Sequence, residues 1–276
     1  MVQSHTLSII ILSYNREDVC RNLVKFLNKE LTDSLKYEVI VLDNGSKDAY
    51  KFVEKNCHIV KFSKNVVVPQ ARNAAVACAQ GEYVLMLDDD VGISGFSINY
   101  LLSFMKAHPD VDMVFPQKKD IYRDGTERYY GFFEANIFGN LKNVSCWFDG
   151  DFVDFGSMVY VAKKDVIHYD YRFGMNQYGE QGYAIREESA MQAKVNNKRA
   201  CPHIIFEHYV DHYSGGASKD KIAYWTGYGN ALFIKEYLTL GRFRACVWLC
   251  TYGLGHFVLN KFNFNLFKGW KDGVLR

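Results

Sequence analysis

The 276-residue sequence predicts an α/β fold built on a doubly wound, mostly parallel sheet, with a helical carboxyl-terminal region. Three observations support this prediction. Apolar strand-like runs alternate with segments of helical periodicity over residues 1–116, which is the pattern of repeated strand–helix units. Polar residues follow several of these runs, and one run leads directly into three consecutive aspartates. From residue 218 onward the periodicity is helical to the end of the sequence.

The elements of residues 1–116 follow one another in a regular order. Continuous apolar runs predict strands at residues 7–12, 37–42, 59–62, 82–87 and 111–115. Helical spacing, with Ser46 as a candidate amino-terminal cap and Pro69 in a first turn, predicts helices at 19–31, 46–55, 69–79 and 96–107. Because helices connect most successive strands, we expect those strands to be parallel.

The sequence changes character after residue 116. Residues 117–146 are rich in Tyr, Phe, Gly and Asn without clear periodicity, so we expect hairpins and loops over one edge of the sheet, followed by a strand at 151–161. We therefore predict a main domain of residues 1–217, with halves 1–116 and 117–217, and a helical region of residues 218–276.

Composition narrows the class of protein. The hydrophobic fraction of 49% and the charged fraction of 23% are those of an ordinary globular protein. A net charge of +2 is too small to predict nucleic-acid binding by bulk electrostatics. The seven cysteines include no close Cys-x-x-Cys pair, so we expect free thiols, and the amino terminus lacks signal-peptide character. These features predict a cytoplasmic protein.

The strongest chemical signal is the acidic triplet Asp88, Asp89 and Asp90 at the end of the predicted strand 82–87. Ligands of parallel α/β sheets bind at the carboxyl ends of the strands. Two carboxylates ~6 Å apart repel by roughly 3 kcal/mol at an effective dielectric constant near 20, so we expect a cation beside them. An all-oxygen site suits Mg²⁺ or Mn²⁺. The alternative is a solvated acidic turn before a helix.

Further polar side chains follow the other predicted strands. Ser13, Tyr14 and Asn15 follow the first strand, and Asp43 and Asn44 follow the second. Asp43 can accept hydrogen bonds from a nucleobase or a ribose, although a turn with a helix cap also explains it. Arg72, near the start of a predicted helix, is a candidate for steadying a base or phosphate, or is a surface arginine.

These motifs, in this order and spacing, resemble those of the inverting family 2 glycosyltransferases of the GT-A fold. The motifs are Ser13-Tyr14-Asn15, Asp43-Asn44-Gly45-Ser46, Ala71-Arg72-Asn73, Leu87-Asp88-Asp89-Asp90, Phe155-Gly156-Ser157-Met158 and Lys163-Lys164-Asp165-Val166. One departure is Val67, where the family usually has glycine. The resemblance implies that residues 1–116 form the nucleotide-binding half and residues 117–217 the acceptor half.

The resemblance also implies the reaction, which is transfer of a sugar from a nucleotide-diphosphate donor, most simply a UDP- or dTDP-sugar. The acceptor would be a glycan or lipid-linked hydroxyl in surface polysaccharide or glycoconjugate synthesis. Asp43 would hold the base with support from Arg72, and Asp88 would lie near the ribose. Asp90, with Asp88, would bind Mn²⁺ or Mg²⁺, which would bridge the diphosphate. Ser13, Tyr14, Asn15, Asn44 and Asp89 complete the implied nucleotide site.

Two positions are candidates for the base that takes the acceptor proton. Glu187 and Glu188 resemble the Glu-Asp pair that opens an amphipathic helix in this family, with Glu188 at the Asp position. Glu180 resembles another version of the motif. We favour Glu188, and the alternative is that the pair only adds favourable charge to a helix amino terminus.

Two histidines are candidates for a position near the diphosphate or metal. His208 has the family spacing from Pro202, whereas His212 precedes the Ser-Gly-Gly sequence at 214–216. Either is alternatively a structural histidine with its hydrogen bonds satisfied.

The carboxyl-terminal region interleaves basic and aromatic residues over 242–271. Glycines and polar residues interrupt its apolar runs, so we expect no membrane span. This pattern predicts one of two arrangements. The region forms either an interfacial helix pair at the inner face of the cell membrane or a helical subdomain packed on the main domain.

Two other classes of protein remain as alternatives. A nucleotidyltransferase of related fold would carry a Gly-rich phosphate loop and a Lys after the first strand, where this chain has Ser13, Tyr14 and Asn15. A non-catalytic carbohydrate-binding protein would keep the fold without turnover.

Overall fold

The computed structural model describes residues 5–32, 34–136, 140–210, 219–238 and 263–276, together with positions 243 and 247. The strands are β1 (Leu7–Ser13), β2 (Tyr37–Asp43), β3 (Cys57–Lys61), β4 (Tyr83–Asp88), β5 (Val91–Gly92), β6 (Met113–Tyr122), β7 (Glu127–Tyr130), β8 (Phe132–Ala135), β9 (Leu141–Asn143), β10 (Phe155–Gly156), β11 (Tyr160–Lys163) and β12 (Lys198–Val210). The α-helices are α1 (Glu17–Glu30), α2 (Val68–Cys78), α3 (Gly95–Ala107), α4 (Glu187–Gln192), α5 (Lys219–Tyr237) and α6 (Phe264–Leu275).

The main sheet confirms the predicted, mostly parallel architecture. Its strand order is β3-β2-β1-β4-β11-β6-β12-β5, with β7 paired to β6. The first four strands are mutually parallel, and β11 is antiparallel to both of its neighbours. The register pairs Ser13 with Asp43 and Leu12 with Asp88. The polar residues at the ends of β1, β2 and β4 therefore lie side by side.

Helices cover both faces of this sheet, because alternate side chains of each central strand point to opposite sides. Ile9 and Ile11 pack in one core with Leu27 of α1 and Leu101 of α3. Ile10 packs in a second core that includes side chains of α2. Each fully buried Leu or Ile side chain stabilises the fold by roughly 1.5–3 kcal/mol, so both faces contribute to holding the strand ends in place.

The helix predicted at residues 46–55 is wrong. This segment is irregular because side chains, rather than helical carbonyl groups, accept hydrogen bonds from its backbone N–H groups. The Asp43 carboxylate accepts from the backbone nitrogens of Ser46 and Tyr50, at 2.9 and 3.0 Å. The Glu17 carboxylate accepts from the backbone nitrogen of Lys51 at 2.6 Å.

The second half of the main domain is more regular than the sequence indicated. Residues 117–146 contain hairpins, as predicted, but β6 extends to Tyr122 and pairs along its length with β12. The strand predicted at 151–161 is wrong in extent, because Phe152 forms an isolated bridge with Arg199 and continuous pairing is limited to Phe155–Gly156 and Tyr160–Lys163. Val67, where glycine was expected, has an ordinary φ of −63° and is the residue before α2.

The two described helices of the carboxyl-terminal region, α5 and α6, pack tightly together. A Cβ atom at Gly269 of α6 would overlap the carbonyl oxygen of Tyr224 on α5, so only glycine permits this approach. Phe233 of α5 also contacts Phe155, with ring centroids 5.8 Å apart. No helix within the described ranges is long and apolar enough to cross a membrane. The boundary at residue 217 stays a prediction.

Candidate active site

The carboxyl ends of β1 and β4 are joined by buried hydrogen bonds. The Ser13 hydroxyl donates to the Asp89 carboxylate at 2.6 Å and lies 2.7 Å from the Tyr50 hydroxyl. The Tyr50 hydroxyl accepts from the backbone nitrogen of Arg16 at 2.8 Å. This network fixes the loop after β1 against the acidic triplet.

Arg16 supplies positive charge to the triplet from within the chain. Its Nη1 atom lies 2.7 Å from Asp89 Oδ1 and 3.2 Å from Asp90 Oδ2. Burial raises the pKa of Asp89 to about 6, while the Ser13 hydrogen bond and the Arg16 charge act to lower it. Sequence reasoning assigned no role to Arg16, although its position directly after Ser13-Tyr14-Asn15 was a usable signal.

Arg72 connects the acidic triplet to the predicted base. Its side chain is 4% exposed, with Nη2 3.0 Å from Asp88 Oδ1. Its Nη1 lies 2.8 Å from Glu188 Oε1 and 3.5 Å from Glu187 Oε1. The guanidinium also lies 5.4 Å from the centroid of the Tyr169 ring. One buried cation therefore holds carboxylates from β4 and α4 together.

The Glu187 and Glu188 carboxyl groups are in an environment that favours protonation. Burial raises the pKa of both groups, as does repulsion from neighbouring carboxylates, while the positive charge of Arg72 lowers it. The net effect raises the pKa of both carboxyl groups above the ordinary range of glutamate, which is typical of groups that exchange protons in active sites.

The turn that places this pair is strained. Arg186, the residue before α4, has a backbone φ of +70°, which residues other than glycine rarely adopt. Its Nε donates to Asn230 Oδ1 at 2.8 Å, and its guanidinium lies 5.7 Å from the Phe233 ring centroid. Both contacts are to α5, so the carboxyl-terminal region holds Glu187 and Glu188 in position.

His208 is oriented by a carboxylate on the neighbouring strand. The β6–β12 register pairs it with Asp120, and its Nδ1 lies 2.8 Å from Asp120 Oδ1. Its Nε2 lies 3.9 Å from Asp90 Oδ1. When Nδ1 carries the proton and donates to Asp120, Nε2 presents its lone pair on the side of Asp90. Sequence reasoning missed Asp120, which no local motif marks. His212 lies outside the described residues.

Asp43, Asn44 and Asn15 shape the loops around the strand ends. Asp43 is 1% exposed, and its two oxygens accept the backbone hydrogen bonds of residues 46 and 50 described above. The Asn44 amide donates to the carbonyl of Val66 at 2.9 Å. Asn15 has a φ of +56°, and its side-chain oxygen accepts from the backbone nitrogen of Lys47 at 2.9 Å. Direct contact of Asp43 with a base stays a prediction.

A cavity of about 920 Å³ opens over the ends of β1, β2 and β4. Seven of the predicted residues line it, namely Ser13, Tyr14, Asn44, Asp88, Asp89, Asp90 and His208. Gln181 and Lys221 also line this cavity. Among the described residues, Arg72 and Glu188 do not line the cavity. Arg72 nevertheless contacts Asp88, which does. We call this space the donor cavity.

The other candidate base lies elsewhere. Glu180 is exposed, accepts a hydrogen bond from the Asn176 amide at 2.7 Å, and lines a separate cavity beside α5 and α6. No set of three or more His, Cys, Asp or Glu side chains within the described part of the chain is arranged to hold a metal ion.

Comparison with protein families places this site in a known context. Residues 8–169, more than half of the chain, match the family model described as glycosyl transferase family 2. The match includes every predicted motif from Ser13 to Asp90.

Curated relatives are similar over shorter segments. A dolichyl-phosphate beta-glucosyltransferase of Dictyostelium discoideum is 32% identical over 99 residues, which is 30% of each chain. A cholesterol galactosyltransferase of Borreliella burgdorferi is 31% identical over 39% of this chain and 31% of its own. A poly(ribitol-phosphate) beta-N-acetylglucosaminyltransferase, TarS, of Staphylococcus aureus is 31% identical over 37% of this chain and 19% of its own. The matched segments span a third or less of these relatives.

Solved structures resemble the chain over most of its length. S. aureus TarS, in complex with UDP-GlcNAc, has a TM-score of 0.60 at 16% identity, covering 92% of this chain and 75% of that structure. GalNAc-T7 with UDP, GalNAc and Mn²⁺ has a TM-score of 0.60 at 12% identity, covering 94% and 58%. The likeness confirms the predicted GT-A fold.

Proposed function

We propose, since this chain belongs to glycosyl transferase family 2, that it is a metal-dependent inverting glycosyltransferase. The donor is a nucleotide-diphosphate sugar, with UDP- or dTDP-sugars as the first candidates. The acceptor is the hydroxyl of a glycan or lipid-linked glycan, and the product belongs to a surface polysaccharide or another glycoconjugate.

One observation carries the proposal, which is the composition of the donor cavity. Its wall places three carboxylates, one imidazole and polar loop side chains at the carboxyl ends of adjacent parallel strands. This is where parallel α/β sheets bind nucleotides. UDP and UDP-GlcNAc are bound by TarS, which shares the fold. A nucleotidyltransferase is less well supported, because no Gly-rich loop with a Lys follows β1.

The residues around Asp90 fit a divalent cation. Asp90 is 29% exposed, and Asp120 aligns the imidazole of His208 beside it. Mg²⁺ and Mn²⁺ sites in phosphate-binding enzymes use one or two protein ligands together with substrate phosphates, so a complete protein cage is not required. Asp90 and His208 would hold the ion together with the substrate phosphates, whereas Asp88 is already paired with Arg72. When bound, the ion would neutralise charge on the departing nucleoside diphosphate.

We assign the base to Glu188. The acceptor oxygen attacks the anomeric carbon as the bond from that carbon to the diphosphate oxygen breaks, and Glu188 takes the acceptor proton. Attack from the side opposite the leaving group inverts the anomeric configuration. Arg72 supports this role, because a cation 2.8 Å from Glu188 favours the ionised carboxylate that can accept a proton.

Placement at the inner face of the cell membrane is part of the proposal. Phe264 and Phe267 of α6 are 73% and 38% exposed, and such side chains can contact a membrane surface without spanning it. The relatives named for dolichyl-phosphate and cholesterol substrates are consistent with a lipid-linked acceptor.

The proposal is tested by calorimetric titration of the chain with a panel of nucleotide sugars, with Mn²⁺ or with a chelator. We expect Mn²⁺ to strengthen binding of one donor, and Asp90→Ala to abolish that enhancement. Asp165→Ala, an exposed acidic residue outside the cavity, is the matched control and should bind as the unmodified chain does. Equal binding with chelator and with Asp90→Ala would refute metal-dependent donor recognition.

A further inference from the structure

We infer that the cavity between residues 176–182, α5 and α6 binds a neutral saccharide unit of the acceptor. This inference rests on the proposed function and names its acceptor chemistry. The cavity has a volume of about 420 Å³, within the ~300–1,000 Å³ range of small-molecule sites. Its lining residues are Glu180, Gln181, Asp220, Lys221, Tyr224, Trp225, Asn265 and Lys268. We call this space the helix-side cavity.

The position of the helix-side cavity suits an acceptor. Gln181 and Lys221 line both this cavity and the donor cavity, so the two spaces adjoin. A molecule whose reacting hydroxyl lies in the donor cavity can therefore extend its next unit into the helix-side cavity. Two lysines and two carboxylates line the cavity. They come from three separate segments of the chain, namely residues 176–182, α5 and α6.

The charges of the lining favour a neutral ligand. Glu180 and Asp220 contribute two negative charges, and Lys221 and Lys268 contribute two positive charges. A phosphate or an anionic lipid headgroup would be favoured by an excess of cations. The amides of Gln181 and Asn265 offer both donors and acceptors, which match the hydroxyl groups of a sugar.

The aromatic side of the cavity is held rigidly. The Tyr224 hydroxyl donates to the Asp272 carboxylate at 2.9 Å and lies 3.1 Å from the donating amide of Asn176. Asn176 is 2% exposed, and the same amide donates to Glu180 at 2.7 Å. The Tyr224 and Trp225 rings meet edge to face, with centroids 5.3 Å apart. Fixed aromatic and carboxylate groups bind a rigid sugar ring at a small loss of conformational entropy.

The test uses the full chain and four neutral disaccharides as probes, namely maltose, cellobiose, lactose and diacetylchitobiose. Binding is followed by saturation-transfer NMR for the unmodified chain, for the double variant Asn265→Ala/Lys268→Ala, and for Lys271→Ala, an exposed control on the same helix. We expect at least one probe to bind the unmodified chain and the control equally, and to bind the double variant about tenfold more weakly.

Three results would overturn the inference. They are an absence of binding by all four probes, equal binding by the double variant, and binding of anionic phosphatidylglycerol vesicles that only the double variant loses. Nucleotide-sugar binding is measured on the same samples. Failure there, with disaccharide binding intact, would count against the proposed function rather than against the saccharide site.

Discussion

At the scale of single residues, two arginines offset the mutual repulsion of the three carboxylates in the acidic triplet. Arg16 pairs with Asp89 and Asp90, and the buried Arg72 pairs with Asp88. The carboxylates therefore do not depend on a metal ion alone for charge compensation. A cation bound at the proposed site would share the Asp90 carboxylate with Arg16.

Replacing Glu188 by glutamine tests the assigned base. We expect Glu188→Gln to bind donor normally and to lower kcat by about 10²–10⁴-fold, because the amide cannot accept the acceptor proton. Glu180→Gln should instead raise the KM for acceptor, because Glu180 lines the helix-side cavity. Normal turnover by Glu188→Gln together with loss of kcat in Glu180→Gln would move the base to Glu180.

The same carboxyl group predicts the pH dependence of turnover. Burial raises the pKa of Glu188, and the base acts only when ionised. We therefore expect kcat to fall as the pH is lowered through that raised pKa, above the ordinary range of glutamate. A profile of kcat against pH measures this decline, which should be missing from the residual activity of Glu188→Gln.

At the scale of elements, α5 supports the site without lining most of it. It holds the strained Arg186 turn through Asn230 and packs against α6 through glycine contacts. The position of the predicted base thus depends on a helix outside the matched family segment of residues 8–169.

A methyl group at the α5–α6 contact tests this dependence. Gly269→Ala would place a Cβ atom against the Tyr224 carbonyl oxygen and force the helices apart. We expect the free energy of unfolding to fall by about 1–3 kcal/mol, as for other overpacked sites. Urea denaturation measures the change, with Lys271→Ala on the same helix as a control that should have little effect. An unchanged midpoint for Gly269→Ala would mean that the helices separate at no energetic cost.

At the scale of the whole molecule, Arg72 joins the two halves of the main domain. Its helix, α2, and its partner Asp88 belong to residues 1–116, whereas Glu187 and Glu188 belong to residues 117–217. The carboxyl end of β4 and the helix of the predicted base are therefore coupled through one buried guanidinium.

Removing this cation should make stability depend on pH. Arg72→Met leaves three neighbouring carboxylates without it, and we expect about 3–5 kcal/mol of destabilisation near pH 7. Burial already raises the pKa values of Glu187 and Glu188 above their unfolded values, and loss of the Arg72 charge would raise them further in the folded variant. The free energy of unfolding of the variant is therefore closest to that of the unmodified chain at pH values below the unfolded pKa of ~4. It falls as the pH rises through the folded pKa values. Urea denaturation at several pH values measures this slope.

Arg21→Met is the matched control for this experiment. Arg21 also pairs with a glutamate, but its side chain is 46% exposed, so its removal should change the free energy of unfolding by less than about 0.5 kcal/mol at any pH. Parallel slopes for the two variants would contradict the role assigned to Arg72.

The sequence by itself determined the parallel strands β1 to β4 and the start of β6, because apolar runs and helical spacing are local patterns, but it did not reveal β12, which pairs along β6. It also determined that Ser13, Asn44 and Asp88 would lie near one another, since parallel strands bring their carboxyl ends to one edge. The error at residues 46–55 arose because side chains from other segments took the backbone hydrogen bonds that a helix would have used.

Only the tertiary structure decided the contacts between distant segments. Asp120 reaches His208 through the pairing of β6 with β12, and Arg72 reaches Glu188 across the interior of the domain. The helix-side cavity likewise needs α6 to pack on α5. Such contacts depend on how buried surfaces fit together, and residues more than 80 positions apart carry no shared local pattern that would reveal them.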